Sequence, residues 1–359
     1  MGTIWCAISG HGFGHAAQVV PILNELGRRV PQLNALLRTT VPASFFKDRL
    51  HIPWSLQPVT QDVGCVQPGP LEIDVAATWE AHEQFRATWD SRLEAEISKM
   101  RALRPAVILA DTPYLAVSAG REAGIPTIVT ANLTWHEILT ALEQTTVHHQ
   151  PLLQSIRDAY GKAEMALRIA PGLPLAGIQK VVDIGPIADP APSERENLRS
   201  SLGMKASERL VLVGFGGIPL GALPWEQMEH MGGYRFLVDG LLPPDSSRIH
   251  SLSTIPCSFK TALASVDVVM TKPGYGTILE AVALRLPVVY VRRYNFADEV
   301  PLLEFLHTYG QGCELSLADF VSGQWRAALD EALTACPMGE RPALTGPADA
   351  AEALRGYFQ

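Results

Sequence analysis

The hydrophobic positions of this chain alternate between two periods. Short, nearly continuous apolar runs occur at 3–8, 33–37, 106–110, 127–130, 209–215, 235–238, 266–270 and 287–291. Runs of this length with no polar face read as strands buried on both sides. Between them lie stretches with helical spacing: 16–28 with Val19, Val20, Leu23 and Leu26, 114–123, 277–286 with Ile278, Val282 and Leu286, 302–309 and 320–333. Strand and helix in alternation predict an α/β class built on parallel sheets. Weaker strands are expected at 248–252 and 313–315, and short helices at 44–50 and 259–264. One or two helices fit 73–103, 139–165 reads as largely helical with an interruption around Pro151, and 51–69 reads as a long loop. Trp79, His82, Phe85, Arg86 and Trp89, at helical spacing, read as core packing.

A second strand-like beginning at 209 implies a second domain. Ahead of it, 170–192 carries Pro171, Pro174, Pro186, Pro190 and Pro192 with Gly172, Gly177 and Gly185, and reads as a linker holding a short strand at 181–184. The division is set near Pro190. The first domain is 1–189, the second 190–345, and a last helix in 346–359 is expected to pack back across the junction. With 359 residues at 47% hydrophobic content, each half can bury its own core.

Chemistry concentrates where strands end. The first strand runs into Gly10-His11-Gly12-Phe13-Gly14-His15-Ala16, whose glycines permit a tight turn and close approach of a ligand. His11 and His15 sit at the mouth of that turn, as proton-transfer groups or as a helix cap and a packed core residue. Asp111 ends the strand at 106–110, where it either orients His15 or caps the next helix. Asn132, Trp135, His136 and Glu137 follow the strand at 127–130. In the second half, Gly214-Phe215-Gly216-Gly217 follows a strand, and Thr271-Lys272-Pro273-Gly274-Tyr275-Gly276-Thr277 joins another to a helix. A glycine turn at a helix start converges backbone N–H groups on an anion. Glu280 either closes a capping box with Thr277 or accepts hydrogen bonds from sugar hydroxyls beside the phosphates. Arg292-Arg293 and Asp298-Glu299 read as ligand groups or as a solvated turn.

Composition narrows the class. A net charge of -8 argues against a general nucleic-acid or membrane-surface binder. Five scattered cysteines without ligand spacing suit reduced thiols and a cytoplasmic location. No secretion signal or bilayer-length apolar run is apparent.

Residues 10–16, 132–135, 271–280, 291–293 and 296–301 together carry a resemblance. The chain resembles the two-domain glycosyltransferases of the GT-B fold, in particular relatives of the lipid II-forming transferase MurG. It is closer still to the glycosyltransferase-like N-terminal region of plant L-arabinokinase. The sugar-kinase part of that plant protein has no counterpart in this sequence, so phosphoryl transfer is not implied. The resemblance implies two Rossmann-like domains facing a central cleft and a metal-independent, inverting transfer from a nucleotide sugar, foremost a UDP-sugar, to a hydroxyl acceptor. That acceptor is a small molecule or is lipid-linked.

By the same resemblance, Gly216, Gly217, Gly274, Tyr275, Gly276 and Thr277 meet the diphosphate and Glu280 the ribose. Backbone around Leu252 meets the base, and Asp298 and Glu299 meet the donor sugar. His15 is the expected base and Asp111 its orienting partner. With no Asp-x-Asp segment, no metal and no cofactor beyond the donor co-substrate are expected. Two alternatives stand beside the transferase: a nucleotide-sugar epimerase or hydrolase of the same architecture, and a sugar-nucleotide-binding regulator without turnover.

Overall fold

The apolar runs assemble into two parallel sheets in a computed structural model that describes residues 2–142, 147–216, 220, 222–241 and 244–359. The strands of the first are β1 (Thr3–Ile8), β2 (Asn34–Arg38), β3 (Trp54–Leu56), β4 (Val107–Asp111), β5 (Thr127–Ala131), β6 (Met165–Ile169) and β7 (Val181–Ile184). Those of the second are β8 (Arg209–Val213), β9 (Tyr234–Val238), β10 (Ile249–Ser251), β11 (Val268–Thr271), β12 (Val288–Tyr290) and β13 (Gly312–Glu314). The orders are β3-β2-β1-β4-β5-β6-β7 and β10-β9-β8-β11-β12-β13. In each sheet the chain winds outward on one side of its first strand and then crosses to the other. The switch points fall between β1 and β4 and between β8 and β11, where crevices open at the strand ends.

Register fixes what reaches those crevices. Ile8 pairs with Asp111, and Ser9 N donates to the Asp111 carbonyl, so the loop after β1 and the end of β4 lie side by side. In the second sheet Met270 pairs with Val213, and Gly214 N donates to the Met270 carbonyl. This brings its two glycine loops together.

One apolar layer runs through both halves. It contains Val19 and Leu23 of the helix Gly14–Arg29, Tyr275 and Ile278 of the helix Tyr275–Leu284, and Ala350 and Leu354 of the helix Gly346–Arg355. That last helix packs on the Gly14–Arg29 helix, with an Arg29–Glu352 ion pair of 3.0 Å, while Asp349 accepts from Gly185 N. Tyr275 is a strut of this junction. Its buried hydroxyl donates to the Ala170 carbonyl at 2.7 Å and accepts from Ile187 N at 3.1 Å. Tyr275→Phe leaves both groups unpaired inside the protein, so a loss of about 1–3 kcal/mol in urea unfolding is expected.

Several expectations need correction. The stretch 139–165, expected to be helical with an interruption around Pro151, holds the end of the helix Trp135–Leu142 and the helix Gln150–Tyr160, but Met165 opens strand β6. Met-Ala-Leu-Arg-Ile is too short and too uniformly apolar for periodicity to separate helix from strand, and an open place beside β5 decides it. The loop 51–69 contains the edge strand β3. The helix expected at 320–333 breaks at Gly323, which has φ 76°, into Leu317–Ser322 and Arg326–Thr334. Helices Arg195–Ser201 and Trp225–Glu229 gave no legible pattern.

Candidate active site

The loop after β1 turns at Gly12, with φ 83°, and delivers His15 into the first turn of the helix Gly14–Arg29. His15 is buried, and its Nδ1 lies 3.1 Å from Asp111 Oδ1. A proton on Nδ1 donates to Asp111 and leaves Nε2 as the basic nitrogen. Burial works against a charged imidazole here. The Asp111 charge and hydrogen bond, with Asp62 and Asp298 behind them, outweigh it and hold the His15 pKa above its ordinary value.

The surroundings fix this pair rigidly. Trp135 Nε1 donates to Asp62 Oδ2 at 2.7 Å, and the Trp135 ring lies 6.1 Å from that of His15. Thr112 takes a left-handed φ of 66°, and Tyr160 donates to its carbonyl at 2.6 Å. A threonine held in that region costs free energy and is stabilised by its surroundings. Burial pushes the Asp62 carboxyl up, against the hydrogen bonds from Trp135 and Ser9. Nearby, Gln18 Nε2 donates to Asn132 Oδ1 at 3.1 Å. His11 packs edge-on against Trp135, and burial together with the neighbouring cations lowers its pKa to about 3. His11 is therefore neutral at physiological pH, whereas the carboxylates around His15 favour its protonated form.

The second domain faces this pair. Lys272 and Arg293 act electrostatically on His11, Asp298 acts on His15, and Phe296 packs into the apolar cluster of the first domain. Gly216 has φ 78°, and a Cβ there would meet Lys272 Cε at 3.5 Å, so the ammonium stem crosses between the two glycine loops. Burial and the repulsion of Arg293 lower Lys272 to about 8, with Asp298 and Glu299 opposing. The helix Tyr275–Leu284 begins beyond Gly274, and a Cβ on Gly276 would meet nothing within 4 Å. Open space therefore lies beside Gly276 in the first turn of this helix. Thr277 stands within that first turn, which has no side-chain cap, so no capping box forms with Glu280.

The other sequence-derived residues separate into two groups. Asp298 is buried with Oδ1 unpartnered among the described residues, and burial pushes its carboxyl to about 6. Glu280 is buried beside Lys260 at 3.1 Å, and Leu252 lies buried just beyond β10. Glu299, in contrast, is committed internally. Its carboxylate accepts from Arg293 Nε at 2.7 Å and from Arg293 N, while Arg293 also donates to the Pro273 carbonyl. This fully buried ion pair ties the segment after β12 to the glycine loop and leaves Glu299 no free face for a sugar. The Tyr275 side chain likewise turns to the domain junction, leaving only its backbone for a ligand. Gly217 lies outside the described residues.

Two residues of this region were not anticipated, Asp62 and Lys260. The first stands in the mixed stretch Val59-Thr60-Gln61-Asp62-Val63, whose pattern does not set it apart. The second sits in an unremarkable polar position of a short helix. Among the described residues no group of three His, Cys, Asp or Glu side chains has metal-binding geometry. None of the helices there is long and apolar enough to cross a membrane.

No family model matches the chain. It is 27% identical over 343 residues to the L-arabinokinase of Arabidopsis thaliana, covering 93% of this chain and 32% of that protein. The chain thus spans about a third of the length of that relative. Among solved structures, CalG4, the calicheamicin glycosyltransferase, superposes with a TM-score of 0.66 at 16% identity, over 99% of this chain and 98% of that one. Phytolacca americana UGT2, solved with UDP-2-fluoroglucose and pterostilbene, superposes with a TM-score of 0.59 at 16% identity, over 100% and 93%. Two doubly wound parallel sheets, opposed switch points and end-to-end superposition establish that this chain has the GT-B fold of glycosyltransferases.

Proposed function

We propose that the chain is a metal-independent, inverting glycosyltransferase that moves a sugar from a nucleoside diphosphate sugar, foremost a UDP-sugar, to a hydroxyl acceptor. One observation carries this reading. A histidine–carboxylate pair at one switch point faces a lysine-bearing glycine turn at the other. His15 Nε2 takes the acceptor proton as that oxygen attacks the anomeric carbon. The bond from that carbon to the diphosphate oxygen breaks, and its electron pair leaves with the diphosphate. Lys272 and the N–H groups at the start of the helix Tyr275–Leu284 receive the developing charge. Attack opposite the leaving group inverts the anomeric centre. Because protein cations supply the stabilisation, turnover is proposed to persist in the presence of a chelator.

The division at residue 190 makes the first domain the acceptor side and the second the donor side. An apolar shelf supports an acceptor with a hydrophobic face: Phe13, half exposed beside His15, stacks on Phe45 with ring centroids 5.4 Å apart. Such a face suits a small aromatic molecule or a lipid-linked sugar. The free cysteines suit a cytoplasmic location.

The deciding experiment is calorimetric binding of UDP, GDP, ADP and dTDP, with and without magnesium, to the wild-type chain and to Glu280→Ala. One base should bind preferentially, indifferent to magnesium, and Glu280→Ala should weaken it about tenfold or more. A chain that binds none of them is not a nucleotide-sugar enzyme.

A specific observation also favours a second reading. Asp62, Asp111 and Asp298 surround His15, a density of carboxylates that an epimerase or hydrolase would use on the sugar itself. Products formed from donor alone, without acceptor, would favour that chemistry.

A further inference from the structure

Glu280, the carboxylate assigned to the ribose, has a partner that the transferase reading does not require. Lys260 lies on the short helix Phe259–Leu263, N-capped by Ser258 Oγ, which accepts from Thr261 N at 3.1 Å. Its neighbour Phe259 fills the space over Gly214, where a Cβ would come within 2.6 Å of the ring. The helix is thus locked against the first glycine loop. From there Lys260 Nζ donates to the Asp189 carbonyl at 2.5 Å and to Asp189 Oδ2 at 3.1 Å. The same ammonium lies 3.1 Å from Glu280 Oε1. One ammonium therefore joins the donor pocket to the segment between the two sheets.

An ammonium has three donor hydrogens, and these acceptors use all of them. It meets Glu280 through one oxygen, so Oε2 remains for a ligand hydroxyl. Burial alone would favour a neutral carboxyl at Glu280, and Lys260 opposes that. An ionised carboxylate is the stronger acceptor for a sugar hydroxyl. We infer that Lys260 is the positioning residue that makes Glu280 a selective acceptor for a ribose hydroxyl, and that it tethers this carboxylate to the interdomain segment at Asp189. The inference rests on the nucleotide-site reading given above. It adds a specificity element, discrimination of ribose from 2′-deoxyribose, set by a residue that does not touch the ligand.

The test compares matched pairs, UDP with dUDP, GDP with dGDP and ADP with dADP, by calorimetry on the intact chain. The wild-type chain should prefer the ribonucleotide of its chosen base by about tenfold, the worth of one hydroxyl bonded to a charged group. Lys260→Met keeps the stem and removes the charge, so the ratio should fall toward one through loss of ribonucleotide affinity, with deoxyribonucleotide affinity within about twofold. Lys260→Arg should retain most of the ratio. Asp189→Asn, at an exposed side chain, should lower it partially.

A pH series adds a readout that a purely structural role would not move. In Lys260→Met, ribonucleotide affinity should decline on acidification at a higher pH than in the wild type. Only Arg49 then still opposes burial at Glu280, while Asp189 reinforces it. Equal losses for both members of a pair, or an unchanged ratio, would overturn the role of Lys260 while leaving the nucleotide site standing. If no ribonucleotide binds the wild-type chain, the nucleotide-site reading falls and the inference with it.

Discussion

Replacing His15 by alanine is expected to lower kcat about 10²–10⁴-fold while nucleotide affinity stays within about twofold. In the proposed mechanism the imidazole, in the first turn of the helix after β1, takes the acceptor's proton. The proposed diphosphate site lies at the glycine turns of the second sheet and does not include it. The pH dependence gives the sharper test. His15 must be neutral to accept a proton, and its pKa is held above the ordinary value by Asp111, Asp62 and Asp298 against the effect of burial. Activity should therefore fall as pH drops through a value above about 6.5, the pKa of an unperturbed histidine. Asp111→Asn removes the largest of the raising influences, so this acid limb should move to lower pH. The plateau should fall at the same time, because an amide no longer enforces the Nδ1-protonated tautomer. A rate that survives His15→Ala within about tenfold, or an acid limb that Asp111→Asn leaves in place, would remove His15 as the base. Asp298→Asn serves as the control. Its carboxyl titrates near 6 and also faces His15, so it should shift the limb in the same direction without disturbing the Nδ1 hydrogen bond.

The sequence made the sheets legible because parallel strands buried on both faces are runs of apolar residues, and such runs stand out against amphipathic helices. Strand β6 escaped since Met165 to Ile169 has the composition of a helix interior. Its state is decided by β5 and β7 on either side, which is tertiary information. The site followed the same division. His15, Asp111 and the Gly274–Thr277 turn were readable because strand ends at a switch point aim their residues into one crevice. That rule needs only the order of elements.

What the rule could not supply was competition for each side chain. Glu299 and Asp298 are neighbours at one helix start, yet Arg293 consumes the first and leaves the second unpartnered at Oδ1. Tyr275 stands between the two glycines of the turn, yet its hydroxyl donates to the Ala170 carbonyl across the junction. Asp62 reaches His15 from a loop whose path is set by a buried Arg38–Glu96 pair, with Gln61 donating to Glu96 at 2.8 Å. None of these pairings has a local spacing, and so none leaves a trace in periodicity.

Lys272 carries the other large effect. Lys272→Met should lower kcat about 10²–10³-fold, the usual loss when one preorganised group facing a developing anion is removed. Among the described residues, three neighbouring cations already have partners of their own. Arg293 is held by Glu299 and the Pro273 carbonyl, and Arg292 stacks on Tyr294. Lys260 is anchored at Asp189 and Glu280. The unliganded enzyme also carries a signature of this residue, since burial and Arg293 bring Lys272 to about 8. A lysine that must be charged to receive the diphosphate loses its effect as pH rises through that value, so kcat/KM should decline on a basic limb near 8. Lys272→Arg should carry the limb to higher pH, as guanidinium does not deprotonate in that range, and should recover part of the rate. Lys272→Met should abolish the limb altogether. A donor carrying a better leaving group than a nucleoside diphosphate should narrow the gap between wild type and Lys272→Met, because less charge then needs stabilising at the transition state. An unchanged gap would mean that Lys272 binds the donor without assisting its departure.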